Sequence, residues 1–469
     1  MPPALTVAGA VDALQAGDLT SVALVEQAIA AADAWNDTIH AYCARFDEQA
    51  LAAAAEADAA RVSGKPGGPL QGIPIAVKDN VGTVEALSRA GSAVTDAGWL
   101  PQDAPAVARL RAAGAIVIGK TTMNEFAIGR PDPAQPFPAP LNPWNPDHWA
   151  GGSSSGSAAA VAVGAALAAV GTDTGGSIRI PSAFCGVTGL KPTYGRVPNR
   201  GSVPAAESLD HVGPLARSAE DCALLLAVLA GHDDTDPTSF DRPVPDYRAA
   251  LTDDLHGVVV GVDPQTEYAA GQAHPSLPAA LDAMRATLTA LGARVVDVRL
   301  PLVPELTAAA LVTAMSEMLG FHRANLRKRP RDFARDTRVL VSGGAFFTGA
   351  DYVTAQRVRA AARAELAELF TRVDVAITPT SSAPALTVAD MLADAQTGGY
   401  GPIHTTYWNG TGNPALSVPM GFAGGLPLGM QIAGRDFDEA TVLRVGHAVQ
   451  QVTDWHLRTP PARSGSSAP

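Results

Sequence analysis

Only three cysteines occur in 469 residues, Cys43, Cys185 and Cys222, and neither a metal-ligand nor a CxxC spacing joins them. A disulfide framework is excluded, and reduced structural thiols in a cytoplasmic setting are expected. Aromatic residues make up 5% of the chain, and basic residues are outnumbered, 34 against 46 acidic, for a formal net charge of −12. The nearest thing to a basic block, Arg323 to Arg331, is short and lies in a helical pattern, so no nucleic-acid partner is expected. Long hydrophobic runs are missing too. The longest, Ala158 to Val170, is 13 residues of small side chains, too short to span a bilayer, so no membrane association is expected. The start, MPPALTVAGAVDALQ, has no positively charged n-region, which argues against a signal peptide.

What is present is an alternation of helical and strand patterns. Helical periodicity runs through SVALVEQAIAAADAW from Ser21 and DEQALAAAAEADAARV from Asp47, and GKPGGPLQG ends the second. IPIAV (Ile73 to Val77) and AIVIG read as buried strands, with the helix APAVARLRAAG between them closed by Gly114. A capping box, Ser218 to Asp221, opens a helix that stops at Gly231. Further on come strand GVVVGV, helix SLPAALDAMRATLTALG, strand ARVVDV and long helices around 304–327 and 351–372. VDVAITP, ALSVPM and LGMQIAG are strand-like, and EATVLRVGHAVQQV is a closing helix. The alternation predicts an α/β fold. At this length one large domain or two smaller ones fit equally, and no linker divides the chain. The tail ARSGSSAP is expected to be disordered.

Three motifs compete for the chemistry. GAIVIGKT, Gly114 to Thr121, matches the Walker A pattern, but its centre, Ala-Ile-Val-Ile, is itself a strand rather than a flexible phosphate loop. GSSSG, Gly152 to Gly156, matches a nucleophile elbow around Ser154, yet LNPWNPDHWAG before it suits a loop, not the strand that an elbow requires. The third candidate joins two serine stretches, AGGSSSGS and DTGGS. A helix of roughly 11 residues runs ~17 Å outward, and a strand of about 5 residues returns a similar distance. Ser153 and Ser177, 24 positions apart, can therefore meet. The glycines before Ser177 let successive N–H groups converge into a nest for an oxyanion. Two Gly/Ser turns without chemistry are the plain alternative.

A nucleophilic serine needs a base, and none of the ten histidines sits in a recognisable triad motif. Lys78 of VKDN, at the C-terminal end of strand IPIAV, is the remaining option, since sites in open α/β sheets form at such strand ends. A solvated strand cap is the ordinary fate of such a lysine. To act as a base it must lose ~3 units from its usual pKa of ~10.4, which burial can supply. A neutral amine then draws a proton from Ser177 through Ser153, whose hydroxyl both donates and accepts.

Taken together, VKDN, GGSSSGSAAA and GTDTGGSIRIPSAFCG resemble the amidase signature family of serine hydrolases. CGVTGLKPTYGRVP, SLDHVGPLARSAEDCALLL and NGTGNPALSVPMG extend the resemblance, which covers roughly 70–230 and resumes from about 374. It implies one domain over 1–461, a large twisted mixed β-sheet sandwiched between layers of α-helices, with 462–469 as the tail. It also implies Ser177 as nucleophile, Lys78 as base, Ser153 as bridge after a cis peptide, and an oxyanion hole from the N–H groups of Thr174, Gly175, Gly176 and Ser177. Ser154, Asp173 and Arg179 become supports, although purely structural salt bridging suits Asp173 and Arg179 equally. Ser155 stands where relatives more often carry glycine, which would strain the loop if that position needs a positive φ.

The activity implied is hydrolysis of a carboxylic amide, or a related ester or carbamate (a urethanase), through an acyl-enzyme, with no metal or organic cofactor. The expected partner is a small-molecule amide or carbamate, with no nucleic acid and no membrane, the chain being a monomer or homodimer. The variable stretches 300–350, with Phe321, Phe346 and Phe347, and 385–410, with YGPIHTTYWNG, are candidates to line the acyl pocket or simply to pack. The alternative is the A subunit of a tRNA-dependent amidotransferase, which takes ammonia from glutamine inside a complex; GHDDTDPTS is compatible with it.

Overall fold

The computed structural model describes residues 4–65, 67–94, 101–269, 271–394 and 401–461; the tail expected at 462–469 lies outside them. Eleven strands form one mixed sheet: β1 (Tyr42–Arg45), β2 (Pro74–Lys78), β3 (Ile116–Thr121), β4 (Ala168–Asp173), β5 (Thr188–Lys191), β6 (His211–Ala216), β7 (Val259–Val262), β8 (Arg294–Asp297), β9 (Val375–Pro379), β10 (Ala415–Ala423) and β11 (Leu426–Gly434). Their order across the sheet is β1-β3-β2-β4-β6-β5-β10-β11-β9-β7-β8. β2 runs parallel to both β3 and β4, and β7 parallel to β8 and β9, while the centre is antiparallel.

The central strands read as continuous apolar runs because both sheet faces are covered by helices. Successive residues point to opposite faces of a strand. Accordingly Ile75 and Val77 enter one hydrophobic cluster and Ala76 another, and Val117 is divided in the same way from Ile116 and Ile118. Helices Ser21–Ile39 and Asp47–Val62 start where the sequence places them. The capping box is formed: Ser218 Oγ accepts from Asp221 N at 3.0 Å and Asp221 Oδ2 from Ser218 N at 3.1 Å, opening helix Ala219–Leu229.

The GAIVIGKT segment is β3 as expected, and its lysine is structural. Lys120 is fully buried and donates to the Val81 carbonyl at 2.8 Å and Ser88 Oγ at 2.7 Å. The helix after GGSSSGS is shorter than expected, Ser155–Ala162, because Gly164 (φ 76°) ends it, and β4 returns with six residues rather than five. Ser155 is the first residue of that helix and is absent from the positive-φ positions, so the serine there carries no strain.

Candidate active site

β2 and β4 lie side by side and parallel, with Val77 opposite Val170. Their C-terminal ends therefore bring Lys78 and Thr172 together, and the loop opening helix Ser155–Ala162 adds Ser153. Lys78 Nζ donates to Ser153 Oγ at 2.8 Å, to Thr172 Oγ1 at 2.8 Å and to the Thr172 carbonyl at 3.3 Å. The lysine is fully buried, and burial lowers its pKa to about 7 against the opposing charges of Asp173 and Asp210. A neutral amine has two N–H groups and one lone pair. The two oxygens of Thr172 accept both hydrogens, which leaves the lone pair for the hydroxyl proton of Ser153. The arrangement suits proton abstraction.

The Gly152–Ser153 peptide is cis. Ser154, the serine of the elbow-like GSSSG, is wholly buried and turned away from this role, its Oγ donating to the Thr172 carbonyl at 3.1 Å. Its N–H donates to the Ser177 carbonyl at 3.1 Å, which seats the two serine stretches against each other. Ser177 itself is 7% exposed. Among the described residues no histidine is hydrogen-bonded to Ser153 or Ser177, and no cluster of His, Cys, Asp and Glu fit to hold a metal occurs.

The loop from Asp173 to Ser177 is shaped from within. Asp173 and Arg179, both fully buried, pair at 2.9 Å. Burial alone raises the Asp173 carboxyl, but the Arg179 guanidinium outweighs it and holds the group well below the usual carboxylate range. Asp173 Oδ1 accepts from Gly176 N at 2.8 Å and Oδ2 from Ile178 N at 3.1 Å. The Gly176 N–H is thus already engaged, so the loop amides left without an acceptor among the described residues are those of Thr174, Gly175 and Ser177. Gly176 has φ 130°, and a Cβ there would lie 2.1 Å from Thr405 Oγ1. Only glycine lets the chain pass.

Several contributors come from far along the chain. Thr405 Oγ1 donates to the Gly175 carbonyl at 2.6 Å, and Arg179 reaches the Thr405 carbonyl at 2.9 Å, Gln431 Oε1 at 2.9 Å and Asn409 Oδ1 at 2.6 Å. The TTYWNG stretch, a candidate for the acyl pocket, therefore serves as a brace behind the loop. Asp210 accepts from Thr174 Oγ1 at 2.5 Å and from Ala205 N at 2.9 Å; burial raises its carboxyl to about 6. Of the candidate aromatics, Phe346 is 86% exposed and Phe321 42%. Phe346 stands in solvent.

The sequence profile of the amidase family matches residues 23–443. The A subunit of the glutamyl-tRNA(Gln) amidotransferase of Chloroflexus aurantiacus (strain ATCC 29366 / DSM 635 / J-10-fl) is 40% identical, over 97% of this chain and 98% of its own. A solved chain from a vestigial protein complex bearing on the origins of an s-triazine catabolic enzyme superposes with a TM-score of 0.88 at 31% identity, covering 97% of this chain and all of that one. The A subunit of the glutamyl-tRNA(Gln) amidotransferase from Thermotoga maritima superposes at 0.81 with 29% identity, covering 98% of each chain. These relatives overturn the expectation that nucleic acid has no place among the partners. That expectation rested on net charge, and the net charge of a chain does not report what its partners handle. No described helix is long and apolar enough to cross a membrane.

Proposed function

Because the chain belongs to the amidase family, we propose that it is the ammonia-releasing subunit of a tRNA-dependent amidotransferase, hydrolysing the side-chain amide of glutamine within a complex. The observation that carries this reading is the 40% identity to such a protein across 97% of the chain. In this mechanism Ser177 Oγ attacks the amide carbonyl while its proton passes to Ser153, whose own proton moves to Lys78 Nζ. The oxyanion rests on the N–H groups of Thr174, Gly175 and Ser177, each well-placed donor contributing ~3–4 kcal/mol. Collapse breaks the C–N bond, and the relay returns the proton to the leaving nitrogen as ammonia departs. Water, deprotonated by the same relay, then hydrolyses the ester on Ser177. Asp173, Arg179 and Ser154 hold the loop and take no proton.

A free-standing amidase is the second reading, favoured by the superposition, TM-score 0.83 at 31% identity, on the native peptide amidase from Stenotrophomonas maltophilia. The deciding experiment measures ammonia release from glutamine by the purified chain alone and with its companion subunits and glutamyl-tRNA(Gln). A panel of anilides, primary amides, esters and carbamates runs in parallel, with mass spectrometry of the trapped acyl-enzyme. Glutamine turnover that rises steeply with the companions, and is lost in Ser177→Ala, is expected. Full turnover of simple amides, esters or urethanes by the chain alone, with no response to the companions, refutes the amidotransferase reading.

A further inference from the structure

The N–H groups of Thr174, Gly175 and Ser177 are free for an oxyanion, and each is aimed by the peptide plane in which it lies. The carbonyl across the same plane shows how firmly that aim is held. The Asp173 carbonyl, in plane with the Thr174 N–H, accepts from Asn409 Nδ2 at 3.0 Å and from His211 Nδ1 at 3.2 Å. The Gly176 carbonyl, in plane with the Ser177 N–H, accepts from Ile180 N at 2.7 Å. The Thr174 carbonyl, in plane with the Gly175 N–H, has no donor among the described residues. Packing does not hold this plane either, since a Cβ on Gly175 would meet only Thr406 Oγ1, at 3.7 Å. A glycine in open space adds no restraint of its own.

One tie remains, the side chain of Thr174. Its Oγ1 donates to Asp210 Oδ1 at 2.5 Å. Asp210 is fixed in turn by Ala205 N, which donates to Oδ2 at 2.9 Å, and by Ala206 N, 3.2 Å from both oxygens. Three donors converge on it, a pattern that suits the ionised, acceptor-only carboxylate. The turn that carries Asp210 is braced from two helices. Ser208 N and Oγ donate to Glu317 of helix Val303–Lys328 at 2.9 and 2.7 Å, and Arg359 of helix Gly349–Leu369 donates to the Ser208 carbonyl at 3.1 Å. This carboxylate is costly to keep. It is 9% exposed, and its charge favours the ammonium form of Lys78, against the base. A buried charge that works against its neighbour needs another reason to be there.

We propose that Asp210 is a positioning residue: through the Thr174 hydroxyl it aims the Gly175 N–H at the oxyanion formed when Ser177 attacks. In this role Asp210 moves no proton and acts only through the amide it aims. The role rests on Ser177 as nucleophile and stands whichever amide is cleaved. An oxyanion donor counts most once the carbonyl oxygen carries charge, so loss of its aim lowers kcat and leaves KM in place.

The test uses p-nitrophenyl acetate, whose acyl transfer to a serine passes through the same oxyanion and needs no companion subunit. Both kcat and KM are measured on the full chain about two units above the Lys78 pKa of about 7, so that the amine is neutral in every variant and the charge lost in Asp210→Asn leaves it undisturbed. Thr174→Val keeps the N–H groups and the side-chain shape but removes the hydroxyl. Its kcat is expected to fall about 10–100-fold, no more than the ~10²–10³ for loss of a whole donor, with KM within about twofold. Thr174→Ser restores the hydroxyl and is expected to recover most of that loss. Asp210→Asn is expected to fall alike, and the double variant no further than the lower single one, because both break one chain of contacts. Native kcat in Thr174→Val, a serine variant no better than the valine one, a loss carried by KM, or single losses that multiply in the double variant overturns the role of Asp210. Should Asp210→Asn not fold, as judged by circular dichroism, the valine and serine variants decide by themselves. Mass spectrometry of the acetyl adduct tests the nucleophile separately. A wild type not acetylated on Ser177, or turnover retained by Ser177→Ala, overturns the Ser177 reading and the role of Asp210 with it. Acetylation on Ser177 at the native rate in Thr174→Val overturns the aiming alone.

Discussion

Replacing Thr172 by valine isolates the part that one hydroxyl plays in the proposed role of Lys78 as a base. With its pKa brought down to about 7 by burial, about half of the lysine is neutral at pH 7, and the neutral fraction falls about tenfold for each unit below that. Only the neutral amine accepts a proton, so kcat/KM of the wild type should rise with pH through about 7 and then level. Thr172 Oγ1 stands 2.8 Å from Nζ and stabilises both forms, but unequally. A hydrogen bond to a charged group contributes ~1.5–3 kcal/mol and one between neutral groups ~0.5–1.5. Its loss therefore penalises the ammonium by about 1–1.5 kcal/mol more than the amine, which is a shift of about one pKa unit. The acidic limb should move down by that amount. The plateau should also fall about tenfold, equivalent to ~1.4 kcal/mol in the barrier, because one N–H loses its acceptor and the lone pair is no longer aimed at Ser153. The assay is kcat/KM from about pH 5 to about pH 9, which reports groups of the free enzyme, with circular dichroism to confirm folding. A limb that stays in place or moves upward means that the titrating group is not the amine touching Thr172, and the reasoning fails.

Gly176→Ala should lower kcat by ~10²–10³ with little change in KM, as expected when oxyanion donors are displaced; its Cβ meets Thr405 Oγ1 at 2.1 Å on a backbone of φ 130°, and near-native kcat would show that the loop tolerates the shift. Ser218→Ala removes the acceptor for Asp221 N and should cost about 1 kcal/mol in urea unfolding, with activity at moderate temperature retained; an unchanged midpoint would show that the Ala8 N bond to Asp221 suffices alone.

Much of this architecture is legible in the chain. The placing of the proposed triad follows from confined chain: an apolar strand ends at Lys78, which reaches Ser153 Oγ at 2.8 Å, and a small-residue helix with its returning strand brings Ser177 back to the serine loop, where its carbonyl accepts from Ser154 N at 3.1 Å. Helix starts at Ser21, Asp47 and Ala219 follow from local capping and periodicity, which act over four or five neighbouring residues. What escapes is what depends on distant pairing. Thr405, Asn409 and Gln431 reach the loop only because β10 and β11 dock across β5 into the middle of the sheet, and no local pattern marks a threonine as a brace. Asp210 has no visible role within SLDHVGPL, since its tie to Thr174 spans 36 positions. The Gly176 N–H falls among the expected oxyanion donors because spacing does not show which amide of a nest Asp173 takes. Composition misleads once, because the acidic balance of a chain is silent about what its partners bring.

The clasp around Arg179 also bears on when, during synthesis, the loop can take its shape. A nascent chain that has exposed Lys78 and both serines to the cell still lacks Asn409 and Gln431, more than 200 residues further along. Until those emerge from the ribosome, the guanidinium has too few acceptors to hold the loop in register. Ribosome-bound intermediates and prematurely terminated fragments should accordingly be inert toward cellular amides.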